Sequence, residues 1–365
     1  LNPSNHRAYN FNAGPSALPL EVLEKAQKEL TNFRGTGMSI MEMSHRSAAF
    51  EEVHNGAISR LRKLYSISDE YEVLFLQGGA SLQFSMIPMN FLKAGQKAGY
   101  VMSGSWSEKA IKEAKLFGEP YQVASTKENQ YRNIPSLENI EFNSEDAYVH
   151  VTSNNTIYGT QWSKFPNTGD VPLIADMSSD IMSKPVDVNQ FGMIYAGAQK
   201  NLGPSGVTVV IVRKDLLEKA NTEIPTILKY STHADNNSLY NTPPTFGIYM
   251  LGEVLNWIEE KGGLEAVAKN NEEKANLIYD AIDDSNGFYT GHATLESRSL
   301  MNITFRVADE KLEKQFLVEA AEAGFVGLAG HRSVGGCRAS TYNAVPVEAC
   351  QALREFMIEF QSSNS

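Results

Sequence analysis

Short apolar runs alternate with amphipathic stretches along this chain, and a glycine turn or a polar cluster closes most of the runs. Residues 71–76 lead into Gly78-Gly79-Ala80-Ser81, residues 99–103 into Gly104-Ser105-Trp106, and residues 147–152 into Ser153-Asn154-Asn155-Thr156. Residues 171–177 read VPLIADM, an apolar run that ends on Asp176 and is followed by Ser178, Ser179 and Asp180. Between the runs, apolar residues recur at helical spacing, as in Val22, Leu23, Ala26 and Leu30, or Phe50, Val53, Ala57, Leu61 and Leu64. A further helix carries Ala110, Ile111, Ala114 and Phe117, with Ser107 as its expected cap and Gly118 as its end. Strands alternating with helices, with polar residues gathered after the strands, predict an α/β fold. Its mostly parallel central sheet is flanked by helices and carries a site at the carboxyl edge.

The stretch 191–212, FGMIYAGAQKNLGPSGVTVVIV, is the centre of that expected site. Lys200 follows an apolar segment with small residues. Gly203, Pro204 and Gly206 then lead to a β-branched run at 207–212. A lysine at a turn between buried strands is a candidate for a lowered pKa and for Schiff-base chemistry. Taken alone, the stretch fits an exposed turn lysine equally well. Asp176 breaks the tie. A carboxylate ending one strand and a lysine after the next element form the pair that pyridoxal phosphate requires: the lysine holds it as a Schiff base, and the aspartate keeps its ring nitrogen protonated. Without Lys200, Asp176 would read as a helix cap. Gly78-Gly79-Ala80-Ser81, between a strand and a helix start, would offer backbone N–H groups to a phosphate. Trp106 at a strand–helix junction fits either stacking on a planar cofactor or plain packing.

At 365 residues the chain has room for about two domains, and 42% hydrophobic with 21% charged residues gives enough apolar mass for a sizeable core. Past Gly262-Gly263 the pattern becomes a compact α+β unit: helix 264–282, strand 301–307, helix 312–323, strand 338–341 and helix 347–360. The expected division is a large domain at 16–260 and a small domain at 261–365, joined by the segment 1–15. Residues 230–244 read as a polar loop. A formal net charge of −11 argues against general binding to nucleic acid or membrane. No apolar run approaches the ~20 residues of a membrane span, and the first residues lack the apolar stretch of a secretory signal. Two cysteines, Cys337 and Cys350, are too few for a disulfide framework, as expected of a cytoplasmic protein. No metal site is expected.

Two His-Arg pairs stand out in this acidic chain, His45-Arg46 and His331-Arg332, the second on a glycine-rich loop with Arg338 close behind. Arginine forks suit phosphate and carboxylate groups. Either pair alone is unremarkable; beside a cofactor site, together they suggest a small anionic substrate.

Several segments carry a resemblance to the phosphoserine aminotransferase family, in the fold-type I, class V group of pyridoxal-phosphate enzymes. They are FNAGPSALP, MSHRS, FLQGGASLQF, GSWS, NNTIYGTQW, IADMSSDI, GAQKNLGPSG, YNTPPTF and AGHRSVGGCRASTYNA, in this order over essentially the whole length. The resemblance implies a transamination between phosphoserine/3-phosphohydroxypyruvate and glutamate/2-oxoglutarate, in serine biosynthesis. It leaves open whether a related intermediate of pyridoxine biosynthesis is also used. It implies that Lys200 holds pyridoxal 5'-phosphate, Asp176 meets the ring nitrogen, Trp106 stacks on the ring, and Thr156 bonds the phenolic oxygen. Ala80, Ser81 and Gln199 would hold the cofactor phosphate, joined by Asn241 and Thr242 of a neighbouring subunit, so a homodimer is implied. Arg338 would take the α-carboxylate, and His45, Arg46, His331 and Arg332 the far end of the substrate. The nearest alternative is another class V enzyme, such as a cysteine desulfurase, with Cys337 as the persulfide carrier, or an alanine–glyoxylate-type aminotransferase. A non-enzymatic binder of phosphorylated ligands is a further alternative, and it leaves the Asp176–Lys200 pairing unexplained.

Overall fold

A computed structural model describes residues 7–136, 138 and 140–364. Part of the expected joining segment, residues 1–6, therefore lies outside the described residues.

Seven strands form the central sheet: β1 (Tyr71–Leu76), β2 (Lys97–Met102), β3 (Glu119–Ser125), β4 (Val149–Thr152), β5 (Leu173–Asp176), β6 (Met193–Gly197) and β7 (Thr208–Arg213). Their spatial order is β1-β7-β6-β5-β4-β2-β3. The pairs β6/β5, β5/β4, β4/β2 and β2/β3 are parallel, and β7 alone runs antiparallel to both its neighbours. The strands are short and β4 to β7 are almost wholly buried, which is why they read as continuous apolar runs rather than alternating ones. β3 is not expected from the sequence. It is a half-buried edge strand with a proline at its second position, the kind of segment that periodicity leaves out.

Helices cover both faces. On one side α1 (Leu20–Glu29) and α2 (Ala48–Tyr65) pack with α5 (Thr245–Glu260) and contribute to a core that includes Phe50, Leu61, Ile194, Ile211, Leu251 and Leu255. On the other, α3 (Gly79–Phe91) and α4 (Ser105–Ala114) cover Leu74, Tyr100, Tyr148 and Tyr195. α4 begins two residues before the expected cap. The Ser107 hydroxyl, inside the first turn, reaches back to accept from the backbone N–H groups of Ser103 and Gly104, both at 3.1 Å. Residues 230–244 are not all loop: Tyr230–Asp235 is a short helix, and Tyr230 is buried.

A third core lies in the C-terminal part. α6 (Gly263–Asp283), α7 (Glu310–Glu322) and α8 (Val347–Asn364) pack on an antiparallel sheet of β8 (Tyr289–Gly291), β9 (Asn302–Val307) and β10 (Cys337–Ser340). Phe305, Phe316, Leu353 and Phe360 fill it. The N-terminal stretch belongs to this core as well. Tyr9–Asn10 pairs in parallel with Phe325–Val326, and Phe11 is buried there. From that anchor the chain runs to the end of the central sheet, carrying Gly14 against the side chain of Lys200.

Candidate active site

Five parallel-strand ends converge on one cavity of about 280 Å³. β1 supplies Gly79, Ala80 and Ser81 through the turn that opens α3, and β2 supplies Trp106 from the first turn of α4. β4 supplies Thr152, Asn154 and Thr156, β5 supplies Asp176 and Ser178, and β6 supplies Gln199 and Lys200. Sequence-distant residues close the rim: Gly14 from the N-terminal stretch, and His331 and Arg338 from the C-terminal part. Three larger clefts lie elsewhere, and none of them contains Lys200 or Asp176.

Lys200 sits just after β6 on the cavity wall, half-buried. Its Nζ donates to Thr156 Oγ1 at 2.8 Å. Desolvation brings its proton affinity down to about 8, with Arg338 adding to the effect and Asp176 opposing it. The backbone around it is held: Ser16 Oγ donates to the Lys200 carbonyl at 2.6 Å, and Ser16 N–H donates to the Gln199 carbonyl at 3.0 Å. Asp176 is 5% exposed at the end of β5. Burial pushes its carboxyl up, while Ser178, Lys200 and Tyr195 pull it down. Ser178 N–H donates to Asp176 Oδ1 at 2.9 Å.

Gly78 has φ +91, a conformation that lets β1 turn straight into α3, so the first N–H groups of that helix face the cavity end of the sheet. A Cβ on Gly78 would lie 2.6 Å from Leu82 Cδ2. The Trp106 indole N–H is buried with no partner, and Lys109 Nζ lies 4.4 Å from the ring centroid. Arg338, on β10, is 9% exposed; its Nη1 donates to the Thr156 carbonyl at 3.2 Å, and its Nε is buried without a partner.

Not every expected residue meets here. His331 lines the cavity, and Arg332 is exposed beside it. His45 and Arg46 lie in the turn before α2 and line no part of it. Asn241 and Thr242 are exposed and also lie outside. The nearest tie is from Gln77 Nε2 to the Thr242 carbonyl at 3.4 Å, next to the Gly78 turn. Cys337 is buried, and burial raises its thiol far above the ordinary range, so it is no mobile nucleophile. Gly14, Ser16, Phe84 and Asn154 join the site without having been singled out for it.

The family model for class-V aminotransferases matches residues 8–353. The chain belongs to the class-V aminotransferase family. Within that family, it is 76% identical over 358 residues to the phosphoserine aminotransferase of Lysinibacillus sphaericus (strain C3-41), covering 98% of this chain and 99% of the relative. The solved phosphoserine aminotransferase from Bacillus circulans subsp. alkalophilus superposes with a TM-score of 0.97 at 62% identity, covering 99% of this chain and all 100% of that one. A phosphoserine aminotransferase from Trichomonas vaginalis, solved with pyridoxal phosphate bound, superposes at TM-score 0.91 and 41% identity, covering 96% and 100%. The class-V membership bears out the expected fold-type I architecture. Among the described residues, no helix is long and apolar enough to cross a membrane.

The residues present fit pyridoxal phosphate. A half-buried lysine of lowered proton affinity and a buried carboxylate share one cavity, and the start of α3 offers N–H groups there. Trp106 lines the same space.

Proposed function

We propose that this chain catalyses the pyridoxal-phosphate-dependent exchange of an amino group between phosphoserine/3-phosphohydroxypyruvate and glutamate/2-oxoglutarate. The observation that carries the reading is that Lys200 and Asp176 line one cavity at the carboxyl edge of the sheet. When bound, the cofactor supplies an electron sink for the substrate's α-carbon.

The chain's own residues do the rest. Lys200 Nζ would hold the cofactor and, once free, would serve as the group that takes and returns the substrate's α-proton. Thr156 Oγ1, 2.8 Å from that nitrogen, aims it. Asp176, as a carboxylate, would pair with the ring nitrogen, and Trp106 would stack on the ring. The N–H groups of Ala80 and Ser81, with Gln199, would hold the cofactor phosphate. Arg338, with its unpartnered Nε, takes the α-carboxylate that both amino donors share. His331 and Arg332 meet the far phosphate or carboxylate. His45, Arg46, Asn241 and Thr242 line no part of the cavity within one chain, so their contribution requires a second copy, and the working unit is a homodimer. The division into a large domain at 16–260 and a small domain at 261–365 goes with this reading, as does a cytoplasmic location.

The two half-reactions, followed by the cofactor's absorbance, test the substrate assignment. Both phosphoserine and glutamate should change the spectrum. Arg332→Ala should lower kcat/KM for phosphoserine by about tenfold or more and for glutamate by less, since a phosphate dianion takes stronger charge-assisted bonds. Arg338→Ala should harm both alike. A spectrum that responds to glutamate and ignores phosphoserine overturns the assignment.

A further inference from the structure

The loop at 330–336 carries His331 and Arg332, and its own backbone holds it only in part. An antiparallel bridge between Ala329 and Cys337 closes its base. Within the loop, the His331 carbonyl accepts from the N–H groups of Val334 at 2.9 Å and Gly335 at 2.8 Å, and Gly330 N–H donates to the Gly336 carbonyl at 2.8 Å. Ser333 N–H donates to His331 Nδ1 at 3.2 Å, which ties the imidazole to the loop that bears it. On one side His331 lines the cavity of Lys200. On the other, Gly330, Val334 and Gly335 line a neighbouring cleft of about 610 Å³. The loop is a thin wall with open space behind it.

Arg306 reaches this loop from outside it. Phe305 on β9 pairs with Cys337 on β10, which sets Arg306 opposite Gly336, at the foot of the loop. Its Nη2 donates to the Val334 carbonyl. Its Nη1 donates to Glu313 Oε1, in the first turn of α7, at 3.1 Å. Glu313 Oε2 also accepts from Val307 N–H at 3.4 Å, so the carboxylate is fixed to the strand that bears the arginine. One guanidinium thus joins a helix carboxylate to a loop carbonyl, as its rigid fork permits. The glycines let the loop lie directly on it. Gly335 and Gly336 hold φ +69 and +73, and a Cβ on them would lie 3.2 Å from Arg306 Nη1 and 3.1 Å from Arg306 Cδ. The Arg306 side chain is 54% exposed, and an ion pair so placed contributes little to overall stability. Its consequence is local to the loop.

We propose that Arg306 is a positioning residue: braced by Glu313, it holds the 330–336 loop in place beside the cavity and so sets where His331 and Arg332 meet the far anionic group of the substrate. The role toward substrate rests on the functional reading given above; the brace itself does not.

Hydrogen exchange on the full-length protein tests the brace. In Arg306→Ala the peptide covering 330–337 should exchange faster, while peptides of the central sheet keep the parent rates. Parent rates throughout overturn the proposal. The two half-reactions test its consequence. Arg306→Ala should lower kcat/KM for phosphoserine by about three- to tenfold and for glutamate by less, since the phosphate dianion relies more on charge-assisted bonds. The same change should cost less in an Arg332→Ala background than in the parent, because both act through one contact. Glu313→Ala separates positioning from charge. Were Arg306 only a nearby cation, removing the carboxylate would improve the use of phosphoserine. A brace without its support should instead worsen it. Improved use in Glu313→Ala, or fully additive losses in the double variant of Arg306→Ala and Arg332→Ala, overturns the proposal. An Arg332→Ala variant that handles phosphoserine as the parent does would instead overturn the functional reading of this loop, and the exchange rates then decide on the brace alone.

Discussion

In the proposed role Lys200 would work only as a free amine, and its surroundings set the pH at which it becomes one. Because its proton affinity sits near 8, below that pH the nitrogen is mostly protonated and cannot attack. The rate at which apoprotein takes up pyridoxal phosphate should therefore rise as pH passes upward through about 8 and level off above it. A rate flat from pH 6 to pH 9 would mean that desolvation does not tune this amine. Lys200 and Asp176 were legible in the sequence because each interrupts or ends an apolar run with a charge. Gly14 and Ser16 were not. They reach Lys200 across 184 or more positions of chain, through an anchor at Tyr9–Asn10 that no local period encodes.

At the scale of elements, the strand-to-helix turns carry the site. The β1–α3 turn has the least freedom, since Gly78 holds φ +91 and the space beside it is filled by Leu82. Gly78→Ala adds backbone strain of about 1–3 kcal/mol and a clash with Leu82. The first turn of α3 should shift away from the cavity. Cofactor affinity should then fall by about tenfold or more while the far-ultraviolet circular dichroism stays that of the parent. Unchanged affinity would show that these N–H groups do not hold the phosphate. The turn itself was readable from sequence because two glycines follow an apolar run directly, although such a pair can equally serve only to reverse the chain. The edge strand β3 was not, because half-burial and an early proline erase both the run and the alternation. The start of α4 was misplaced by two residues because Ser107 caps from inside the helix rather than ahead of it.

For the whole molecule, one chain encloses the lysine, the aspartate and the aromatic wall but leaves His45-Arg46 and Asn241-Thr242 outside. If a second copy delivers the latter pair to the cofactor phosphate, two inactive chains should complement. Mixing Lys200→Ala with a chain altered at both Asn241 and Thr242 should restore part of the activity, since one hybrid site in each mixed dimer is intact. Full activity from a monomer at assay concentration would contradict the shared site. The sequence could name these residues but not their neighbours, because a period or a motif describes one chain and not its packing against another. The central claim, that Lys200 is where the cofactor is held, has a direct test. A second lysine, Lys274, is fully buried and also drawn down to about 8, yet it is tied to the carbonyls of Thr341 and Tyr342 and lies outside the cavity. Borohydride reduction of the protein loaded with pyridoxal phosphate, followed by peptide mapping, should place the label on the peptide containing Lys200. Label on Lys274 or on any other lysine would contradict the account.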